Sequence, residues 1–190
     1  MANKPNRVRI IGGKWRGRKI EFPSIDGLRP TTDPIRETLF NWLQPHLRQS
    51  NCLDLYAGSG ALGFEAASRG AKNVLMIEKN THIIRSLRAN KELIDADNIR
   101  FMQRTALDYL KDKREQEKTQ FDVVFLDPPF KMGALPDCTK WLEASGCLSD
   151  DAVIYIECER KFDLDFLPEN WTQHRQKTTG QVSYYLYHRE

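Results

Sequence analysis

Hydrophobic and polar positions along this chain change period twice. Between Asn51 and Cys158, short apolar runs of strand length alternate with segments whose apolar residues recur at helical spacing. The runs predict strands at Asn51–Tyr56, Asn73–Glu78, Ile99–Arg104, Phe121–Leu126 and Ala152–Cys158. The segments between them predict helices at Ala61–Arg69, Thr81–Ile94, Ala106–Lys113 and Leu135–Ala144. Near-continuous apolar strands separated by helices imply a parallel sheet covered on both faces. Before this series, Ile35, Leu39, Trp42 or Leu43, and Leu47 mark one buried face of a helix, with Asp33 as N-cap and Pro34 as first helical residue. The two ends of the chain alternate with period two. Residues 7–22 read as a hairpin about Gly12-Gly13, with Val8 and Ile10 on one face and Arg7 and Arg9 on the other. Trp171–Thr178 and Gln181–His188 flank Gly180 and read as an antiparallel pair at the sheet's edge.

The length of 190 residues suits one domain with a small appendage, and the net charge of +3 is modest. Its distribution is not. Lys4, Arg7, Arg9, Lys14, Arg16, Arg18 and Lys19 crowd the first twenty positions with no acid among them. A basic arm on a nearly neutral body points to a polyanionic partner. Trp15 among these cations either stacks on a base or caps the core. The amino end of the following helix, flanked by Arg29, Thr31, Thr32 and Arg36, reads either as a second anion site or as an ordinary capped helix. Cys52, Cys138, Cys147 and Cys158 lack ligand spacing, so no metal is expected. No apolar run reaches membrane-spanning length, and Met1 to Arg9 is polar and basic, so a cytoplasmic protein is expected.

Candidate chemistry lies at three strand ends. The first strand breaks into Gly58, Gly60 and Gly63 before a helix, a pattern suited to a nucleotide-like ligand. The second ends on Glu78, about 20 residues further on, where such folds place an acid on ribose hydroxyls. The fourth ends on Asp127-Pro128-Pro129-Phe130. Two prolines lock the backbone just after the strand, fixing the Asp127 carboxylate and the Pro128 carbonyl as a pair of acceptors. Such a pair suits an exocyclic amine with two N–H donors, and Phe130 offers the attached ring a stacking face.

These residues resemble a class I S-adenosylmethionine-dependent methyltransferase, and more closely the RsmD family of bacterial 16S rRNA guanine-N2 methyltransferases. The resemblance is carried by Arg9-Ile-Ile-Gly-Gly-Lys-Trp-Arg-Gly17, Arg29-Pro-Thr-Thr-Asp33 with Arg36-Glu-Thr-Leu-Phe-Asn-Trp-Leu43, Asp54-Leu-Tyr-Ala-Gly-Ser-Gly-Ala-Leu-Gly63 and Asp127-Pro-Pro-Phe130. It implies a doubly wound, seven-stranded, mostly parallel sheet with an antiparallel C-terminal edge pair. A basic hairpin extension over residues 1–28 would precede the methyltransferase domain at 29–190. It implies that Asp54, Tyr56, Gly58 and Gly60 hold the methionyl part of S-adenosylmethionine and that Glu78, with Lys79 beside it, takes the ribose. Thr105 and Ala106 would border the adenine, and Asp127, Pro128, Pro129 and Phe130 would hold the target base. Arg7, Arg9, Lys14, Arg16, Arg18, Arg29, Thr32 and Arg36 would contact 16S rRNA, within a 30S subunit or an assembly intermediate. Rival readings are an adenine-N6 methyltransferase acting on DNA or RNA, a non-catalytic nucleic-acid-binding module, and a NAD-dependent oxidoreductase that would leave Asp-Pro-Pro-Phe idle.

Overall fold

The computed structural model describes residues 5–25, 27–28, 30–112, 114, 119–130 and 132–190. Strands β1 (Asn6–Arg9) and β2 (Lys19–Phe22) form a two-stranded antiparallel sheet in which Val8 faces Ile20 and Arg7 faces Glu21. The chain does not reverse tightly at Gly12-Gly13. Residues 10–18 form a longer loop, closed by the Ile10 N–H to the Arg18 carbonyl (2.9 Å) and the Gly17 N–H to the Ile10 carbonyl (2.8 Å). Gly13 serves a close approach instead: a Cβ there would lie 1.9 Å from the Ser68 carbonyl oxygen. Val8, Ile10, Trp15, Ile20 and Phe22 are all buried, so Trp15 caps the core and is not free to stack on a base.

Helix α1 (Asp33–Leu47) follows. Its N-cap is Thr32, with no side-chain cap bond, because Asp33 turns instead to Arg36 at 2.6 Å. The alternating series then runs β3 (Asn51–Asp54), α2 (Ala61–Ser68), β4 (Asn73–Glu78), α3 (Thr81–Leu93), β5 (Ile99–Gln103), α4 (Ala106–Lys111), β6 (Phe121–Leu126), α5 (Leu135–Ala144) and β7 (Leu148–Glu159). The expected end of α4 at Lys113 lies outside the described residues. Strands β8 (Trp171–Thr179) and β9 (Val182–Arg189) complete a seven-stranded sheet of order β5-β4-β3-β6-β7-β9-β8. All neighbours pair in parallel as far as β7, and β9 runs antiparallel to both β7 and β8. The expected C-terminal pair is present. However, β9 is inserted between β7 and β8, so both of its edges are paired, and with Tyr184 and Leu186 in one core and Tyr185 and Tyr187 in the other, Ser183 to Tyr187 are all buried.

The sheet separates two cores. One packs α1, α2, α3 and the β1–β2 hairpin against one face, and the other packs α4 and α5 against the opposite face. Because β3 pairs with β4 on one side and β6 on the other, successive connections leave it in opposite directions. Open α/β sheets bind ligands in the crevice that such a reversal leaves beyond the carboxyl ends of the strands. Among the described residues, no helix is long and apolar enough to cross a membrane.

Candidate active site

Asp54 is the last residue of β3 and faces Phe125 of β6 across the parallel ladder, so Asp54 and Asp127 rise from adjacent strand ends. Asp54 is only 1% exposed. Its carboxylate accepts the backbone N–H of Tyr56 at 3.3 Å and that of Gly63. Burial, with the nearby charge of Glu78 adding to it, pushes its pKa up to about 7. After β3 the backbone passes through positive φ at Gly58 (49°) and Gly60 (80°). Glu78, at the end of β4, closes this turn: Oε2 accepts the Gly58 N–H at 3.1 Å and Oε1 the Asn80 N–H at 2.8 Å. Each oxygen keeps a second lone pair, which suits a vicinal diol. Gly63 has a different purpose. A Cβ there would lie 2.1 Å from Met76 Cε, so its lack of side chain lets α2 pack on β4.

Asp127 follows β6, and its Oδ2 accepts the Thr31 hydroxyl at 3.1 Å, leaving Oδ1 for a ligand. Burial raises its pKa well above the usual carboxylate range, and the charges of Glu157 and Asp54 add to the effect. Glu157, near the end of β7, is 6% exposed, and its Oε2 accepts the Tyr155 hydroxyl at 2.7 Å. Next to this buried group, Phe130 is left 40% exposed. Among the described residues, the charges that bear on Asp54 and Asp127 are thus carboxylates and not cations. A strand-end site of this sign is complementary to a cationic ligand. S-adenosylmethionine, with its sulfonium and ammonium centres and its ribose diol, fits the donor set of Asp54, Glu78 and the Gly58 turn.

Several residues fall elsewhere than expected. Arg36 is 1% exposed, held by Asp33 at 2.6 Å, by the Arg9 carbonyl at 2.8 Å and by Glu65 at 3.4 Å. It is a structural cation and has no surface to offer a phosphate. Thr32 is exposed at the start of α1, and it is Thr31 that reaches Asp127. The Tyr56 hydroxyl is engaged with Cys138 Sγ at 2.9 Å, so only its backbone serves the site. The Thr105 hydroxyl caps α4 by accepting the Asp108 N–H at 3.1 Å, Ala106 is buried behind it, and Lys79 is exposed beside Glu78. Of the basic arm, Arg7 pairs with Glu21 at 2.7 Å. Arg9, Lys14, Arg16 and Arg18 are exposed on the hairpin, Arg18 reaching the Leu93 carbonyl at 3.2 Å. Arg29 lies outside the described residues. The sequence reading missed Glu157 and Tyr155, which sit inside an apolar run. The ladder offers the signal that would have found Glu157: Leu126 faces Ile156, so residues 127 and 157 are neighbours.

Comparison with known proteins agrees with this geometry. The family model described as conserved hypothetical protein 95 matches residues 8–188. Ribosomal RNA small subunit methyltransferase D of Escherichia coli K12 is 46% identical, covering 98% of this chain and 95% of the relative. Its namesake in Haemophilus influenzae is 45% identical over 97% of this chain and 95% of the relative. The solved structure of yhhF from Escherichia coli superposes with a TM-score of 0.89 at 47% identity, covering 97% of this chain and 99% of that one. The fold alone is shared with the Thermus thermophilus 16S rRNA N2 G1207 methyltransferase RsmC, solved with AdoMet and guanosine. There the TM-score is 0.67 at 18% identity, over 98% of this chain and 50% of that one. A family match over almost the whole chain, on a sheet whose strand ends gather Asp54, Glu78 and Asp127, leads to one conclusion: this chain belongs to the RsmD family of S-adenosylmethionine-dependent rRNA methyltransferases.

Proposed function

We propose that this chain methylates the exocyclic N2 of a guanine in the 16S rRNA of the small ribosomal subunit. The observation that carries the reading is Asp127, its Oδ2 held by Thr31 at 3.1 Å, one strand away from the buried Asp54 and three residues before the exposed Phe130. Bound S-adenosylmethionine supplies an electrophilic methyl group. Asp54 and the Gly58 turn would hold its methionyl part and Glu78 its ribose. Asp127 Oδ1 and the Pro128 carbonyl would accept the two N–H groups of the guanine amine. Guanine N2 is a poor nucleophile because its lone pair is delocalised into the ring. Two fixed acceptors turn that lone pair out of conjugation and stabilise the positive charge that grows on nitrogen. The base must leave its stack to reach this crevice, and Phe130 would replace part of the lost stacking, on the order of 1–3 kcal/mol. Arg9, Lys14, Arg16 and Arg18 on the hairpin would grip the surrounding phosphates.

The experiment is transfer of labelled methyl to 30S particles that lack the modification, followed by digestion and identification of the labelled nucleoside. N2-methylguanosine at one position is expected. Label on adenine N6, or no label, would overturn the assignment.

A further inference from the structure

The mechanism above leaves one proton unassigned and one buried acid unused. Methylation forms an N–C bond to guanine N2 as the S–C bond breaks and its electron pair goes to sulfur. N2 is then positively charged and must lose a proton. Glu157 plays no part in holding cofactor or base, yet its carboxylate adjoins that of Asp127 across the β6–β7 ladder. The Thr31 hydroxyl serves both acids, bonding Asp127 Oδ2 at 3.1 Å and engaging Glu157, which also accepts the Tyr155 hydroxyl. Among the described residues, the remaining groups around the pair are Asp54 at the end of β3, Tyr155 on β7 and Tyr184, which faces Glu157 from β9. None of them is basic.

We propose that Glu157 is a positioning residue that makes Asp127 the acceptor of the N2 proton: two adjoining carboxylates that share one hydroxyl hydrogen and, among the described residues, face no cation take up one proton as the amine is methylated. The proton passes from N2 to Asp127 Oδ1. The Thr31 hydroxyl hydrogen then turns to Glu157, the carboxylate that remains charged. When the product leaves, water reaches Asp127 and carries the proton away. This deepens the guanine-N2 reading and rests on it. The underlying physics is that of any close acid pair, in which the first proton is bound far more tightly than by a carboxylate alone.

The test is the pH dependence of single-turnover methyl transfer to 30S particles. Ionised Asp127 is the active form, so the acid limb of the profile follows its proton affinity. Glu157→Gln keeps the shape and an acceptor for Tyr155 but removes the neighbouring charge. The limb should move about one unit or more to lower pH. The plateau rate should fall about tenfold or more, toward the lower end of what a proton acceptor contributes. Affinities for cofactor and RNA should stay within about twofold of wild type, as a loss confined to the chemical step requires. Thr31→Val removes a hydrogen bond that favours the charged form and should move the limb the opposite way. Opposite shifts in the two variants support the proposal. It is overturned if the wild-type and Glu157→Gln profiles superimpose, or if Thr31→Val leaves the limb in place. Absence of methyl transfer by the wild-type protein would instead remove the guanine reading, and this proposal with it.

Discussion

Asp54→Asn is expected to make the ligand-free protein more stable while weakening its hold on the cofactor. The Asp54 carboxylate is raised from its ordinary 3.8 to about 7 by burial beside Glu78. A group whose folded pKa lies above its unfolded one contributes stability that is complete below the unfolded value and lost as pH rises through the folded one. Wild type therefore loses stability between about pH 4 and pH 7 on account of this residue. At about 1.4 kcal/mol per pKa unit, a rise of about three units amounts to about 4 kcal/mol, an upper bound because a buried site relaxes. Asparagine retains an oxygen for the Tyr56 and Gly63 N–H groups and carries no charge, so the variant escapes this loss. Asp127 titrates in both proteins, and because the Asp54 charge also raises it, removing that charge adds to the variant's gain in the same direction. Urea unfolding at roughly pH 4.5, 6 and 8 should show the variant gaining on wild type as pH rises. Calorimetric titration should show S-adenosylmethionine binding weakened roughly 10- to 100-fold, the range of a hydrogen bond to a charged group. A stability difference that does not change with pH would refute the reasoning, because it would mean that Asp54 is not a strained buried charge.

Two further perturbations separate the architecture from the RNA surface. Glu65 is fully buried and accepts the Ile11 and Gly12 N–H groups at 2.7 Å each, Arg69 at 2.6 Å and Arg36 at 3.4 Å. Glu65→Ala leaves Arg36 with Asp33 as its remaining ion-pair partner, removes the partner of Arg69 and detaches the hairpin loop, so a loss of about 3–5 kcal/mol is expected by urea unfolding. A loss below about 1 kcal/mol would contradict the role of this ion pair. Reversing charge at Arg16 and Arg18 should weaken rRNA binding and flatten its salt dependence by roughly one unit of log–log slope per lost phosphate contact. Filter-binding titrations at several salt concentrations measure this, and an unchanged slope would show that the hairpin is structural only.

The sheet was legible because its strands are continuous apolar runs ended by turn residues: Asn73–Glu78 and Phe121–Leu126 have the expected bounds. The beginning of β7 was not, because Ser149, Asp150 and Asp151 interrupt the apolar pattern while their backbone still extends the ladder. Asp54, Glu78 and Asp127 could be read because each ends a strand, and the ends of parallel strands share one edge. Thr31 could not be placed on Asp127, since the bond spans 96 residues and depends on where α1 docks. Arg36 was misread for a related reason. Its type suggests phosphate, but its burial is decided by Glu65, which a linear reading does not bring beside it. The hairpin likewise reads as a tight reversal at two glycines, and only contact with Ser68 reveals that Gly13 is there to approach α2.

The central claim is that Asp127 positions the target amine and takes no part in holding the cofactor. The most direct measurement compares Asp127→Ala with wild type in methyl transfer to 30S particles and, in parallel, in S-adenosylmethionine affinity. Loss of turnover with near-normal cofactor binding is the predicted result. Full turnover in the variant would contradict it.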